Sequence, residues 1–449
     1  MSVRLREPMD QLVKSPLLHT RGMGFLPPER IKIYDDTLRE GEQMAGAAFS
    51  PVQKLKLARM LSRLGVDVLQ VAFPAVGESE KRALELCLAA RKRGQIRWDV
   101  EIQAMSRARR DDIAAVAEAA ERAGVPTRAV SLLILSTGSD LHMKYKLGKT
   151  LLKTQGLPTR EWLGCPLSFY REANIRAAVA AIRCARAMGF AYIEFAAEDA
   201  SRAELGYLLD WASACIDAGG TRLSFCDTVG CLTPEAVDFY IPPLVRLARK
   251  RGVDLHVHCH NDLGLASANC VRALSHGATH AGVTLCGIGD RVGIAALEQV
   301  VMQLRLLYGI TLPRLQTRLL GPARHLLEEV LGFSMPAHQP VVGDGAFAHE
   351  SGIHTAGLSI HPSTYEFIPK KMVGARRRLV FGKHSGSQAV AEVLSRHKRD
   401  LGRTGAEDTR QLSETLRDWA KREREDRARG ISEAELLKMA AKRSIQQDF

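Results

Sequence analysis

The chain has 449 residues, 46% of them apolar, 25% charged and 6% aromatic, and 63 Lys+Arg against 50 Asp+Glu leave a net charge of +13. That balance excludes disordered, collagen-like and coiled-coil classes for the bulk of the chain and fits a large globular protein. No apolar run approaches the ~20 residues that cross a bilayer, no secretory core is evident, and the nine cysteines are scattered without a Cys-x-x-Cys pair, so a cytoplasmic protein with reduced thiols is expected.

An N-terminal arm, 1–30, leads into a regular alternation. Short β-rich runs are predicted at Ile31–Tyr34, Val66–Phe73, Arg97–Ala104, Ala129–Leu135, Ala191–Ala196, Arg222–Cys226, Asp254–His260 and His280–Cys286. Helical spacing follows them at Pro51–Leu64, Glu78–Arg93, Asp111–Ala123, Ala173–Met188, Ser201–Ala218, Pro234–Arg251, Leu265–His276 and Ala295–Tyr308. Eight such pairs over 31–310 predict an α/β fold, a (β/α)8 TIM barrel, rather than an open doubly wound sheet. Its longest interruption, 141–172, reads as an active-site insertion or lid. Beyond it, 311–390 is predicted as a linker subdomain rich in Gly, Pro and His, and 391–449 as a small helical subdomain. The basic surplus has no nucleic-acid motif beside it, so neither nucleic acid nor membrane is expected as a partner.

A TIM barrel builds its active site on the C-terminal ends of its strands, and three polar clusters stand there. The first, Asp35-Asp36-Thr37-Leu38-Arg39-Glu40-Gly41-Glu42-Gln43, offers Arg39 to an anionic oxygen and Glu40 to a metal. The second, His256-Val257-His258-Cys259-His260-Asn261-Asp262, throws 256, 258 and 260 to one side of a strand. His258 and His260 are then placed to chelate one divalent cation with a carboxylate, while His256, deeper, is structural. The third, Cys286-Gly287-Ile288-Gly289-Asp290-Arg291-Val292-Gly293, is read as opening the last helix, where Gly287 and Gly289 let the backbone approach an anion. Taken alone, each has a plainer reading: an exposed charged turn, hydrogen-bonded core histidines, and a glycine turn without a ligand.

Together the motifs are specific. LREGEQ at 38–43 with Lys54, LHVHCHNDLGLASA at 255–268, FAHESGIHTAG at 347–357, HPSTYE at 361–366 and FGKHSG at 381–386 resemble the 2-isopropylmalate synthase and homocitrate synthase family over about 31–390. The resemblance implies a TIM-barrel acyltransferase that condenses the methyl group of acetyl-CoA with a 2-oxo acid and hydrolyses the thioester. It implies a divalent metal (Mg²⁺, Mn²⁺ or Zn²⁺) on Glu40, His258 and His260, Arg39 stabilising the developing alkoxide, and Thr228 holding the substrate carboxylate. Glu198, His354 and Tyr365 would serve proton abstraction from the acetyl methyl. His354 and Tyr365 would come from the partner of a homodimer whose swapped linker covers the barrel mouth.

Departures from the family pattern bear on the substrate. Gln70 stands where relatives commonly carry Glu, beside the metal site, and Cys286 where they have Asn or an apolar residue. His142 resembles the isopropylmalate branch at the distal end of the 2-oxo acid. Lys144, Lys146, Lys149, Lys153 and Arg160 in the insertion suggest a second anionic group there, as in 2-oxoglutarate or phosphonopyruvate, against the plainer reading of solvated lysines. About 60 residues follow Val390, too few for the regulatory domain typical of leucine-pathway enzymes. The rival enzyme reading is a metal-dependent lyase or aldolase of the same superfamily, such as 3-hydroxy-3-methylglutaryl-CoA lyase, and the non-enzymatic rival is a binding protein on a retired barrel.

Overall fold

The computed structural model describes residues 23–381, 390, 393, 394, 414, 418 and 431–439. The arm before residue 23, the FGKHSG motif beyond Phe381 and most of the expected helical subdomain at 391–449 lie outside the described residues. The chain divides into two compact units. One holds the described residues up to Gln316 and Ala323–Ser334; the other holds Thr317–Pro322 and the described residues from Met335 on.

Eight strands form the first unit's sheet: β1 (Lys32–Asp35), β2 (Val68–Ala72), β3 (Glu101–Arg107), β4 (Ser131–Thr137), β5 (Tyr192–Glu198), β6 (Arg222–Asp227), β7 (Asp254–Cys259) and β8 (His280–Val283). They pair in chain order, all parallel, and β1 closes on β8 from Lys32 opposite His280 to Asp35 opposite Val283. Such strands are covered on both faces, which is why they read as nearly continuous apolar runs. The covering helices are α1 (Pro51–Leu64), α2 (Glu78–Lys92), α3 (Arg110–Arg122), α4 (Gly148–Thr154), α5 (Leu167–Ala187), α6 (Leu205–Asp217), α7 (Pro234–Arg251), α8 (Ala266–Ser275) and α9 (Leu297–Leu307).

Local chemistry fixes their ends. Before α1, the Ser50 hydroxyl accepts from the Gln53 N–H and the Gln53 side chain accepts from the Ser50 N–H, Pro51 presets the first turn, and Gly65 stops the helix at φ 111°. Where prediction and structure differ, side chains explain it. β3 starts at Glu101, not Arg97, because the Arg97 guanidinium folds back to donate to the Ser62 carbonyl (2.7 Å) and to Asp99 (3.0 Å). α5 begins at Leu167, earlier than the expected Ala173, behind Pro166 at its N-cap. The insertion contains a π-turn at His142–Lys146, α4, and a 3-10 turn at Thr159–Glu161.

The lower barrel interior is polar. Glu194 accepts from Arg222 Nε (2.7 Å), Gln103 Nε2 (2.8 Å) and His256 Nδ1 (2.7 Å), and Arg222 also donates to Glu101 (2.6 Å). His256 stacks on Tyr34 at 4.0 Å. Burial would raise the Glu194 carboxyl, but Arg222 and His256 overcome it and hold it well below the usual carboxylate range. Lys54, fully buried on α1, pairs with Glu42 (2.7 Å) after β1 and Glu80 (2.5 Å) on α2. The same Glu80 accepts from the Phe73 N–H (2.8 Å), so one ammonium ties together the loops that follow β1 and β2.

Helix α10 (Leu320–Leu331), whose residues from Ala323 on belong to the barrel unit, meets α1 through Lys56 and Glu329 (2.7 Å). In the second unit, β9 (Ala348–His349), β10 (Arg378–Phe381) and β11 (Ile431–Ser432) form a sheet in the order β11-β10-β9, with helix α11 (Gly352–Ile360) beside β9 in sequence. Phe381, Val390, Val393, Leu394 and Leu436 make its small core. Among the described residues, no helix is long and apolar enough to cross a membrane.

Candidate functional site

The chain leaving β1 turns sharply because the Asp36 carbonyl accepts the N–H groups of Arg39 (3.1 Å), Glu40 (2.8 Å) and Gly41 (3.1 Å). Asp35 fixes this turn from below, accepting from the Thr37 N–H (2.9 Å), while the Thr37 hydroxyl accepts from the Leu285 N–H (2.8 Å) after β8. Burial outweighs those bonds and pushes the Asp35 carboxyl up to about 8. The turn delivers Arg39 and Glu40 to the barrel mouth, and β7 delivers His258 and His260 opposite them.

One ligand atom each from Glu40, His258 and His260 lies within 4.8 Å of the other two, and all three side chains are buried. The two Nε2 atoms face each other at 3.4 Å, and Glu40 Oε1 stands 3.8 Å from that of His260. Burial and the neighbouring His258 charge push His260 down to about 4, so it is the neutral imidazole that ligates metals. Burial works against the Glu40 charge, yet Arg39, His258 and His260 bring its carboxyl to about 2. Two imidazoles and a fixed carboxylate suit a divalent transition-metal cation such as Zn²⁺ or Mn²⁺, and the residues fit that group.

Arg39 is gripped on several nitrogens. Nε donates to Gln70 Oε1, Nη1 to Glu40 Oε2 (2.5 Å), and Nη2 lies 3.6 Å from Asp36 Oδ1. Gln70 in turn donates to the Tyr34 hydroxyl and to Gln103, both at 2.7 Å, so its neutral amide links the arginine to the polar interior. Asp36, Arg39, Glu40, His258 and His260 open onto a cavity of about 280 Å³, lined also by Glu198, Thr228 and Lys146, with Met105, Leu133, Leu135, Ala196 and Cys226 as an apolar wall.

The other predicted residues fall as follows. Thr228 Oγ1 accepts from the Asp199 N–H (2.8 Å), which leaves its own proton for an anion in the cavity. Glu198, at the end of β5, accepts from Lys146 (2.5 Å) and stands 3.8 Å from His142 Nδ1. Burial raises its carboxyl, but His142 and Lys146 prevail and keep it below the usual range. His142 also lies 3.7 Å from Asp199. The glycine turn is not the start of the last helix, since α9 begins at Leu297. A Cβ at Gly289 would meet Glu40 Cγ and Oε1 at 3.3 Å, one at Gly287 would meet the Ile294 carbonyl at 3.1 Å, and the Asp290 N–H donates to Glu40 (3.2 Å). The turn therefore seats the Glu40 carboxylate. Cys286 is buried at φ 60° and its N–H donates to Glu298 (3.0 Å).

Of the insertion's cations, Lys146 lines the cavity, while Lys144 lies over Tyr145 and Lys149 over Trp162, 5.9 and 5.7 Å from the ring centres. His354 and Tyr365 belong to the second unit, where their rings stack at 4.1 Å and both are exposed. Sequence reasoning assigned no role to Asp36, Asp199 or Arg291. Arg291, at φ 56°, donates to Asp262 (2.7 and 2.9 Å), Asp290 (2.9 Å) and the Thr228 carbonyl (2.7 Å), bracing the rim. A buried charge inside a charged motif was the signal for Asp36, but period and spacing do not say which of two adjacent aspartates faces the mouth.

The HMGL-like family matches residues 30–156 and 163–319, and the homocitrate synthase post-HMGL domain-like family matches 341–423. A probable 2-isopropylmalate synthase of Ignicoccus hospitalis is 39% identical over 367 residues, 82% of either chain. A putative (R)-citramalate synthase of Methanopyrus kandleri is 36% identical over 416 residues, 92% of this chain and 72% of that one. Among solved structures, hydroxymethylglutaryl-CoA lyase of Pseudomonas aeruginosa shares the fold at TM-score 0.52 and 19% identity, over 69% of this chain and 95% of that chain. The chain belongs to the HMGL-like family, in its 2-isopropylmalate synthase and homocitrate synthase branch.

Proposed function

We propose that this chain condenses acetyl-CoA with a 2-oxo acid and hydrolyses the resulting thioester, giving a 2-hydroxy diacid and free CoA. The observation that carries the reading is the convergence of Glu40, His258 and His260 beside Arg39 at the mouth of a barrel whose relatives are named 2-isopropylmalate and citramalate synthases. Those three side chains would hold a divalent cation, which would supply Lewis-acid polarisation of the ketone.

The chain's own groups do the rest. Thr228 donates its hydroxyl to the substrate carboxylate. Arg39, kept protonated by Asp36 and Glu40 against its burial, stabilises the oxyanion that develops as the ketone carbon is attacked. His354, with Tyr365 stacked on its ring, takes a proton from the acetyl methyl, and Glu198 serves the same proton abstraction. The methyl carbon then bonds to the ketone carbon, the alkoxide so formed takes a proton back to become the hydroxyl, and water adds to the thioester carbonyl and displaces CoA as the thiol. His354 and Tyr365 act on the partner's barrel in a homodimer, which suits the exposure of Ile353, Ile360, Tyr365 and Phe367 in the second unit.

The wall of Met105, Leu133, Leu135 and Ala196 favours a short apolar side chain on the 2-oxo acid, as in pyruvate or 2-oxoisovalerate. The expected second anionic group finds less support, because the cavity's lid cation, Lys146, is held by Glu198. Free thiol release from acetyl-CoA, followed across these two acids, 2-oxoglutarate and phosphonopyruvate with Mg²⁺, Mn²⁺ or Zn²⁺, tests this. The apolar acids should lead in kcat/KM by ~10–200-fold. Preference for the doubly anionic acids would return the insertion's lysines to the substrate.

A further inference from the structure

Asp36 is the buried carboxylate of this site that neither the metal triad nor the reaction uses. Its side chain is 1% exposed, on the residue directly after β1. Oδ2 lies 3.0 Å from His258 Nδ1, and Oδ1, without a hydrogen-bond partner, faces Arg39 Nη2 at 3.6 Å. His260 has no such support: its Nδ1 is buried and unpartnered. The two histidines are therefore unequal, and His258 alone has its far nitrogen committed to a carboxylate.

We infer that Asp36 is a positioning residue for the metal site, holding His258 in the Nδ1–H tautomer so that Nε2 presents its lone pair toward His260 and Glu40. A carboxylate on the far nitrogen of a ligating histidine fixes the ring and raises its basicity, and losing one typically costs 10–100-fold in metal affinity. The same carboxylate serves Arg39. Gln70, the side chain that accepts from Arg39 Nε, is neutral, so the guanidinium draws its countercharge from Glu40 and Asp36. Once Glu40 is committed to a cation, Asp36 is the countercharge that stays with Arg39. Asp36 thus links the two halves of the site, one carboxylate oxygen to each.

This inference rests on the reading of Glu40, His258 and His260 as metal ligands, and the test separates the two. Dissociation constants for Zn²⁺ and Mn²⁺ are measured by competition with a fluorescent chelator on the full-length metal-stripped protein, for wild type, Asp36→Asn and Asp36→Ser, without substrate or turnover. Nitrogen NMR of the histidine rings reads the His258 tautomer in the same samples, and thermal melts of the stripped proteins report folding. Wild type should bind one equivalent, with the proton on His258 Nδ1. Asp36→Asn, which keeps the shape but drops the charge, should bind ~10–100-fold more weakly with its melt unchanged, and Asp36→Ser should do the same if the asparagine fails to fold. Equal binding by wild type and a folded variant would overturn the role of Asp36 while leaving the ligand triad standing. Absence of stoichiometric binding in wild type would overturn both.

Discussion

Arg39 is fixed by contacts that no other cation reproduces: a neutral amide on Nε, a carboxylate on Nη1 and a second carboxylate facing Nη2. A lysine offers one compact ammonium in place of that fork. Arg39→Lys should therefore lower kcat by ~10²–10³-fold, the usual loss for one oxyanion donor, with a near wild-type melting temperature; steady-state kinetics beside a thermal melt checks it. Gly293 makes a different demand. It sits at φ 79°, and a Cβ there would come 1.7 Å from the Gly287 carbonyl oxygen, so no side chain fits without opening the turn that seats Glu40. Gly293→Ala should cost stability and weaken metal binding together, whereas Glu40→Gln should abolish metal binding without unfolding the barrel. Calorimetric titration with Mn²⁺ separates the two.

Among the elements, the strands hold a charged column where a barrel of this class commonly packs branched apolar layers. Removing one member of a buried pair leaves an uncompensated charge and costs ~3–5 kcal/mol. Glu194→Gln should fall near the lower end, since Glu101 stays on Arg222. The Glu194 carboxyl lies below its unfolded value of 4.5, so the folded state binds fewer protons on the acid side. Its stabilisation is complete above that pH and lost as pH falls through the lower folded value, and Glu194→Gln should flatten the acid limb of a urea-melt pH series.

How legible such elements were depended on the local signal. α1 was readable to the residue because Ser50, Pro51 and Gly65 punctuate it. β3 was misplaced because Arg97-Trp98-Asp99 mimics alternation while Arg97 spends its side chain on the end of α1. The His258 and His260 pair followed from two-residue periodicity. The function of the glycine turn did not, because what a glycine makes room for depends on Glu40, far away in sequence and brought near only by barrel closure.

At the scale of the molecule, the residues expected from the sequence to be catalytic lie on two compact units, with His354 and Tyr365 on the one that is not the barrel. If those residues serve the partner's barrel, Glu40→Ala and His354→Ala should each be inactive as homodimers, yet co-expressed chains should regain about a quarter of wild-type activity from mixed dimers with one intact site. Purified mixtures assayed for thiol release check it; no recovery would place His354 in its own chain's site.

The most direct test of the central claim is the fate of the acetyl methyl. Acetyl-CoA carrying ¹³C at that carbon, incubated with pyruvate or 2-oxoisovalerate and a divalent cation, is followed by carbon NMR. The account predicts that the label becomes a methylene bonded to a new carbinol carbon, one per CoA released, and that Glu40→Gln prevents this. Label recovered only in the methyl of free acetate, or left in acetyl-CoA while 3-hydroxy-3-methylglutaryl-CoA is cleaved, would contradict it.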